Sequence, residues 1–254
     1  MPRFALHLAY IGTAYHGWQR QKDKSTVQET VEKALYTICQ EQITVHASGR
    51  TDAGVHALDQ VIHCDLPVDK QGISWTRALN AILPPDICVT RHAEVPPEFH
   101  ARKSAVSKEY SYTFWTEPEY VLPHKRPYVW ETGPLDLMQM QQALAGLRGR
   151  HDFAALMNTG TPVGSTVRTV SRAELKCGNG PEIVFTVRAN GFLKQMVRNM
   201  SGLLFAVGKG KLSSEMIPAL LSGRDRQTAP LTAPAKGLCL GKVSYDPEEY
   251  TRTE

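Results

Sequence analysis

A single carboxylate, Asp52, lies within the segment Gly-Arg-Thr-Asp-Ala-Gly-Val-His at residues 49–56. Glycine adopts backbone conformations closed to other residues, so Gly49 and Gly54 allow sharp turns on both sides of Asp52 and predict a loop. The guanidinium of Arg50 favours the charged carboxylate, which could serve as a base or a nucleophile. A surface turn with a local ion pair explains the same residues, so this segment alone does not decide between the two interpretations.

A second candidate segment, Ile11–Gln21, mixes glycines with Tyr15, Trp18, Gln19 and Arg20. In RNA-binding loops, aromatic rings stack on bases, and arginine or glutamine side chains reach phosphates and base edges. Aromatic packing beneath a loop is an equally good local explanation. The composition therefore indicates either an RNA contact or a packed loop.

Two further candidates lie on regular elements. Tyr110, Tyr112 and Phe114 alternate along a strand predicted over 107–115, so they share one face with Lys108, and such an aromatic face is usually core. A helix predicted from Phe192 carries an apolar face and, on another face, Arg198. The usual fate of such an arginine is to be a solvated surface charge.

The elements that must position these residues follow a regular order. Residues 1–104 show strand, helix, strand, strand, helix, strand, which is typical of a split-βαβ, ferredoxin-like unit. Residues 105–254 repeat this order with insertions, although no sequence repeat is visible. The sequence therefore predicts an α+β protein with a domain boundary after residue 104. The main elements are expected at 4–10, 27–38, 43–45, 61–66, 74–83, 87–95, 107–115, 137–147, 169–176, 183–189, 192–207, 213–221 and 238–245.

Composition excludes several classes of protein. The 254 residues have ordinary apolar and charged fractions, which excludes disordered and fibrous chains. The five cysteines are scattered singly, which argues against disulfides and zinc sites. No apolar run approaches a membrane span and no signal peptide is visible, so a cytosolic protein is expected. The net charge of +4 permits a polyanionic partner without requiring one.

The run Ser48–Ala57, followed by Gln60 and Val61, resembles the signature of the bacterial tRNA pseudouridine synthase A family. Ordered blocks that resemble the same family extend from Tyr15 to Leu238: Tyr15–Gln19, Phe99–Arg102, Lys108–Tyr112, His151–Phe153, Phe192–Asn199 and Ala233–Leu238. The departures from the family pattern are Ser48, Asp59, Ser111 and Cys239.

This resemblance implies roles for the candidate residues. Asp52 would be the catalytic nucleophile, Tyr110 would stack on the target uracil, and Arg198 would form an ion pair with the nucleophile. Arg50 could fill the space that a flipped base leaves. The family has a similar Tyr-x-Gly-Trp-Gln segment, so the resemblance favours an RNA contact for the segment Ile11–Gln21. The residues expected to contact the tRNA substrate are Gln19, Arg20, Arg50, Lys108 and Tyr110.

The resemblance also implies a fold and partners. Two ferredoxin-like halves would join their antiparallel sheets across a central basic cleft, with helices on one face. The substrate would be uridine at positions 38 to 40 of the tRNA anticodon arm, modified without a metal or an organic cofactor. A cytoplasmic homodimer bridged by one tRNA is expected, with no DNA or membrane partner.

Two other functions remain open from the sequence. The first is an RNA-binding or tRNA-folding module that uses the same cleft without chemistry. The second is a metal-dependent hydrolase with Asp52, His56 and His63 as ligands, although these donors are sparse. Whether Asp52 attacks C1′, attacks C6 or removes the 2′ proton is also open.

Overall fold

The computed structural model describes residues 1–67, 72–158, 160, 163–178 and 180–250. The chain divides into two compact units, one formed by Met1–Ser107 with the chain from Leu240 onward and the other by Lys108–Cys239. The described residues contain both α-helices and antiparallel strands, so the predicted α+β class is confirmed. The boundary predicted after residue 104 stays a prediction, because compactness does not show that either part folds alone.

The first unit has the element order of a split βαβ motif. Strand β1 pairs antiparallel with both β3 and β4, and β2 pairs antiparallel with β3. β1 and β2 therefore run parallel on either side of β3, as this motif requires. The elements are β1 (Arg3–Tyr10), α1 (Val27–Cys39), β2 (His46–Ala47), β3 (His56–Asp65), α2 (Trp75–Asn80), β4 (Ile87–Val95), most of β10 (Leu238–Tyr245) and α6 (Pro247–Tyr250).

Helix α1 forms where its sequence predicts. The Thr26 side chain caps it by accepting a hydrogen bond from the Glu29 amide, and Val31 and Leu35 are fully buried one turn apart. The helix ends at Gln40, which adopts a left-handed conformation with φ of 58°. One apolar stripe of α1 therefore contributes to the core of the first unit.

Strand β2 lies three residues later than the sequence predicts. Residues 43–45 were expected to be extended, but the strand occupies His46–Ala47. Ile43 and Val45 are buried, and the Val45 amide donates to the Glu32 carboxylate of α1 at 3.1 Å. A side-chain acceptor on the helix thus replaces the strand partner that the apolar pattern indicated.

The second unit contains a four-stranded antiparallel sheet in the order β5-β9-β8-β7, with the short β6 parallel to β5. Tyr112, Phe114 and Phe185 are completely buried, which confirms the prediction that Tyr112 and Phe114 are core residues. The elements are β5 (Ala105–Trp115, largely in this unit), β6 (Trp130–Glu131), α3 (Leu137–Ala143), β7 (Gly149–Asp152), β8 (Val167–Cys177), β9 (Glu182–Ala189), α4 (Met196–Gly208) and α5 (Ile217–Gly223).

Three elements of this unit differ from the prediction. Helix α4 begins at Met196 rather than near Phe192, because Gln195 is left-handed with φ of 59° and cannot continue a helix. Strand β7, which contains His151 and Asp152, is absent from the predicted elements. Helix α5 begins at Ile217 rather than at residue 213, with Pro218 in its first turn, where the missing N–H is tolerated.

A buried histidine on β3 predicts a pH-dependent stability. The His63 ring accepts a hydrogen bond from the Ala101 amide at Nδ1 and lies beside the rings of His46 and His100. Burial, with the neighbouring His100 charge, lowers the pKa of His63 from 6.5 to about 4. The unfolded chain therefore binds a proton between pH 6.5 and 4 that the folded chain does not, so the free energy of unfolding falls as pH falls through this range.

His63→Asn tests this prediction because an amide oxygen can accept the same bond without titrating. We expect thermal melts to show that the variant, though less stable than the wild type at pH 7, loses less stability between pH 6.5 and 4. Parallel pH profiles for the two proteins would contradict the assignment.

Candidate active-site residues

Asp52 lies in the connection between β2 and β3 of the first unit, and its side chain is partly exposed. The Val55 amide donates to the Asp52 carbonyl at 3.1 Å and closes a turn at this point. Gly54 has φ of 79°, so the left-handed conformation expected of this glycine is confirmed. The loop thus presents Asp52 from a tight, hydrogen-bonded turn.

The segment Gly12–Trp18 holds this turn by backbone contacts. The Trp18 amide donates to the Thr51 carbonyl at 3.0 Å, and the Gly54 amide donates to the Tyr15 carbonyl at 3.3 Å. A Cβ atom on Gly17 would lie only 2.6 Å from the Thr51 carbonyl oxygen, so no larger residue fits without displacing the Asp52 loop. The position of Asp52 therefore depends on a segment some 35 residues earlier in the chain.

The rings of Tyr15 and Trp18 decide between the two interpretations of the Gly12–Trp18 region. They are 8% and 2% exposed, and the Tyr15 hydroxyl donates to Asp86 at 2.7 Å. These two aromatics pack beneath the loop, where the Trp18 ring also lies beside the Tyr10 ring. Both rings therefore fit the packing alternative rather than the RNA contact that the resemblance favours.

Sequence reasoning missed a polar network under the Asp52 loop. Gln60, fully buried on β3, accepts a hydrogen bond from the Ser48 hydroxyl at 2.6 Å and donates to the Gly49 carbonyl at 2.7 Å. The Tyr10 hydroxyl meets the Thr51 hydroxyl at 2.8 Å. The available signal was the position of Gln60 beside Val61 in the run that resembles the family signature. Ser48, a departure from the family pattern, supplies one of the bonds that fix the loop.

Asp59, the second departure near the loop, also has a defined role. Its carboxylate accepts from the Val243 amide at 3.2 Å and pairs with His7 at 2.5 Å. Burial by itself would raise the pKa of Asp59, but the hydrogen bond and charge of His7 outweigh burial and hold this pKa below its ordinary value. Asp59 thus links β1, β3 and β10 within the first unit.

The other predicted residues of this unit have different surroundings. Gln19 donates to the Gln28 side chain at 2.8 Å, and Arg20 is ion-paired with the buried Glu32. Arg50 is exposed and, within the described part of the chain, forms no hydrogen bond or ion pair. Gln19 and Arg20 are therefore tied to α1, whereas Arg50 is exposed, and the ion pair of Arg50 with Asp52 expected from the sequence is not formed between these two described residues.

Tyr110 and Lys108 lie on β5 of the second unit. Tyr110 is 8% exposed, and its ring meets the Phe192 ring edge to face with centroids 5.1 Å apart. The register pairs Tyr110 with Val187 and Lys108 with Ala189 of β9. Both side chains therefore lie on the same face of the sheet, with Lys108 the more exposed of the two.

Arg198 lies in the first turn of α4 and is partly buried. Its Nε–H donates to the Ala233 carbonyl at 2.8 Å, and the Ala233 amide donates back to the Arg198 carbonyl at 3.1 Å. The surface-charge alternative is wrong for this residue, because the guanidinium is held by the backbone of a distant segment.

The metal-hydrolase alternative gains no support from these surroundings. Nδ1 of His56 accepts from the Gly12 amide, and Nδ1 of His63 accepts from the Ala101 amide, so these lone pairs are already used. Among the described residues, no three histidine, cysteine or acidic side chains are grouped so that they could hold a metal. No described helix has the length and apolar character needed to cross a membrane.

Comparison with known proteins decides the family. A family model described as tRNA pseudouridine synthase matches residues 7–102 and 143–246. The tRNA pseudouridine synthase A of Solidesulfovibrio magneticus is 50% identical over 96% of this chain and 92% of its own. The tRNA pseudouridine synthase A of Maridesulfovibrio salexigens is 46% identical over 96% of this chain and 91% of its own. The chain belongs to the tRNA pseudouridine synthase family. As a synthase of this family, it is an isomerase that acts on tRNA.

The synthase family match includes some candidate residues and leaves out others. Asp52 and Arg198 fall inside the two matched segments, whereas Lys108 and Tyr110 lie between them. Among solved structures, the chain is similar to the archaeal box H/ACA sRNP Nop10-Cbf5 complex, with 12% identity and a TM-score of 0.38. That similarity covers 80% of this synthase but only 44% of the other chain, and it is too distant to bear on mechanism.

Proposed function

We propose that this synthase converts uridine to pseudouridine at positions 38 to 40 of the tRNA anticodon arm, with Asp52 as the nucleophile. The observation that carries the proposal is the Asp52 loop, whose backbone is hydrogen-bonded to two other segments and which lies inside the family match. A loop backbone held in this way supports a carboxylate position from which attack requires little movement.

The chemistry suits an acidic side chain. Breaking the N1 to C1′ bond leaves an electron-poor sugar carbon and a uracil anion, as glycoside cleavage does. A charged carboxylate can trap or shield that carbon while uracil turns and rejoins through C5. No atoms are gained or lost overall. Attack at C1′, attack at C6 and removal of the 2′ proton all employ Asp52.

The other candidate residues complete the proposed site. Flipping the uridine out of the stack costs a few kcal/mol, which stacking on Tyr110 and contacts with phosphates offset. Arg198 is the proposed ion-pair partner that keeps Asp52 charged and oriented. Arg50, exposed in the structure, is proposed to fill the space left by the flipped base. We propose that Gln19, Arg20 and Lys108 contact the sugar-phosphate backbone of the tRNA.

Mapping pseudouridine in tRNA tests the proposed substrate. In cells that lack this synthase, we expect pseudouridine to disappear at positions 38 to 40 and to return when the wild-type protein is supplied. Loss at other positions only would contradict the proposed sites while leaving the enzyme class intact. Unchanged pseudouridine throughout tRNA would contradict the proposed function itself.

Tyr110→Phe is expected to slow turnover while retaining binding. The phenylalanine ring preserves stacking and the edge-to-face contact with Phe192, but it removes the hydroxyl proposed to accept the C5 proton directly or through water. Loss of a proton-transfer group lowers the rate by about 10²-fold. Single-turnover rates and tRNA dissociation constants measure the two effects separately.

Tyr120→Phe is the matched control for this prediction, because it removes a hydroxyl from an exposed tyrosine of the same unit. Its rate and affinity should match the wild type. If Tyr110→Phe weakens binding as much as it slows the rate, the hydroxyl acts in recognition and the proton-transfer role is wrong.

We also propose that the synthase is a cytoplasmic homodimer and that one tRNA contacts both subunits. The support is the family match, together with a net charge of +4 that suits a polyanionic substrate. Light scattering at micromolar concentration should give the mass of two chains. A monomer mass would contradict the proposed assembly without affecting the proposed reaction.

A further inference from the structure

The segment Ala229–Gly237 of the second unit, here called the closing segment, holds Arg198 in place. It lies between α5 and β10, and Ala233 within it exchanges two hydrogen bonds with Arg198. A Cβ atom on Gly202 would lie 1.8 Å from the Leu231 carbonyl oxygen, so the closing segment lies directly against α4. The direction of the Arg198 guanidinium therefore depends on where this segment lies.

Arg226 fixes the start of the closing segment with its whole guanidinium. Nη1 donates to the Ala229 and Pro230 carbonyls, both at 3.1 Å, and Nη2 donates to the Thr232 hydroxyl at 2.9 Å. Its two remaining bonds go to the opposite side of the network, Nη2 to Asn199 Oδ1 at 3.0 Å and Nε to Asn158 Oδ1 at 2.9 Å. An arginine has five N–H donors, and all five are used here.

The same network reaches the helix that carries Arg198. Asn199, the next residue, is fully buried, donates to Leu156 and Asn158, and accepts from the Thr232 hydroxyl at 2.7 Å. Asn158 in turn donates to the side chain of Gln195. Because the left-handed Gln195 sets where α4 begins, the network fixes the helix start as well as the closing segment.

The other end of the closing segment is attached to β5. The Tyr112 hydroxyl donates to the Pro234 carbonyl at 2.8 Å, and a Cβ atom on Gly237 would collide with the Tyr112 ring at 2.6 Å. Tyr112 lies two residues beyond Tyr110 on this strand, on the same face. The closing segment therefore connects the strand of Tyr110 with the helix of Arg198.

We propose that Arg226 is a positioning residue: through the closing segment and Asn199 it sets the orientation of the Arg198 guanidinium. Its five directed bonds serve three backbone or hydroxyl acceptors of the closing segment and the side-chain amides of Asn158 and Asn199 on two other segments. A lysine in this place has three donors on a single nitrogen and cannot span both sets. The expected kinetic consequence rests on the function proposed above, whereas the orientation itself does not.

The side-chain Nε–H of Arg198 provides a direct readout of this orientation. Its bond to the Ala233 carbonyl should give a resolved ¹H–¹⁵N signal with slow solvent exchange, assigned by its absence in Arg198→Lys. In Arg226→Lys we expect that signal to exchange about tenfold faster, because a bond to a charged donor is lost. Thr232→Val removes two hydrogen bonds of the network at nearly constant side-chain volume, so we expect it to accelerate exchange of the same signal. This variant replaces Arg226→Lys as the test if Arg226→Lys does not fold.

Arg224→Lys is the matched control. This arginine is two residues away and is ion-paired with Asp152, but its side chain is largely exposed and, among the residues that the structure describes, makes no bond to the closing segment. The Arg198 signal should keep its wild-type exchange rate in this variant. Wild-type exchange in both Arg226→Lys and Thr232→Val, or equal acceleration in Arg224→Lys, would overturn the proposal.

Single-turnover kinetics then separate positioning from general stability. Arg226→Lys is expected to slow pseudouridine formation by about 10²-fold, since small misplacements of a catalytic group have effects of this size. In an Arg198→Ala background the same substitution should cause no further loss of rate, although losses of melting temperature should still add. Additive rate losses would overturn the proposal. Faster exchange at Arg198 with an unchanged rate would support positioning by Arg226 and contradict the catalytic role proposed for Arg198.

Discussion

Asp52→Asn is expected to abolish pseudouridine formation while leaving tRNA binding largely intact. The amide has nearly the shape of the carboxylate, but it lacks the charge needed to attack or shield an electron-poor sugar carbon. Loss of a nucleophile lowers turnover by ~10⁴-fold or more. Release of tritium from tRNA that carries C5-labelled uridine measures turnover, because the C5 hydrogen leaves when carbon joins the sugar.

The structure makes this substitution a clean test. The bonds that clamp the loop involve the Thr51 and Asp52 carbonyls, the Gly54 amide and the Gly49 carbonyl, so the substitution leaves them all in place. Near-normal tritium release by Asp52→Asn would rule out Asp52 as the nucleophile. A wild-type protein that binds tRNA but releases no tritium would favour the alternative of a non-catalytic RNA-binding module.

The sequence predicts those parts of the fold in which local pattern and tertiary packing agree. Strand β4 is observed at Ile87–Val95 as expected, and α1 follows its Thr26 cap, because burial enforces the same periodicity that the sequence displays. The predicted bounds of an element are wrong where a single residue outweighs the local pattern. The Glu32 carboxylate binds the backbone at Val45, and the left-handed Gln195 delays α4.

The same distinction applies to the candidate site. Glycine spacing and resemblance single out Asp52 as a candidate, whereas resemblance alone singles out Arg198, because the helix pattern favoured a surface charge there. What holds them could not be predicted, because the contacts join residues far apart in sequence, such as Tyr10 with Thr51 and Arg226 with Asn158. Gln60 and Arg226 differ little from ordinary polar residues until the fold shows that each satisfies several groups at once.

Gly17→Ala is expected to reduce turnover by about 10²-fold, because the added methyl group displaces the Asp52 loop and catalysis is sensitive to shifts of about 1 Å. The new Cβ would lie 2.6 Å from the Thr51 carbonyl oxygen and 3.0 Å from both the Ala53 nitrogen and the Asp52 carbonyl carbon. All three are backbone atoms, so no side chain can rotate away. Single-turnover rates and melting temperatures measure the two consequences.

Gly72→Ala separates this steric effect from backbone strain. Both glycines have φ of 84°, so each substitution incurs the left-handed penalty of roughly 1–2 kcal/mol, but a Cβ atom on Gly72 has no neighbour within 4 Å. Both variants should therefore lose melting temperature through backbone strain, with a further loss in Gly17→Ala from the clash, while Gly17→Ala alone loses turnover. Gly17→Ala lowers turnover only by displacing Asp52. In a protein that already carries Asp52→Asn, it should therefore cause little further loss of turnover. Equal turnover in the two glycine variants would mean that the Gly12–Trp18 segment does not position Asp52.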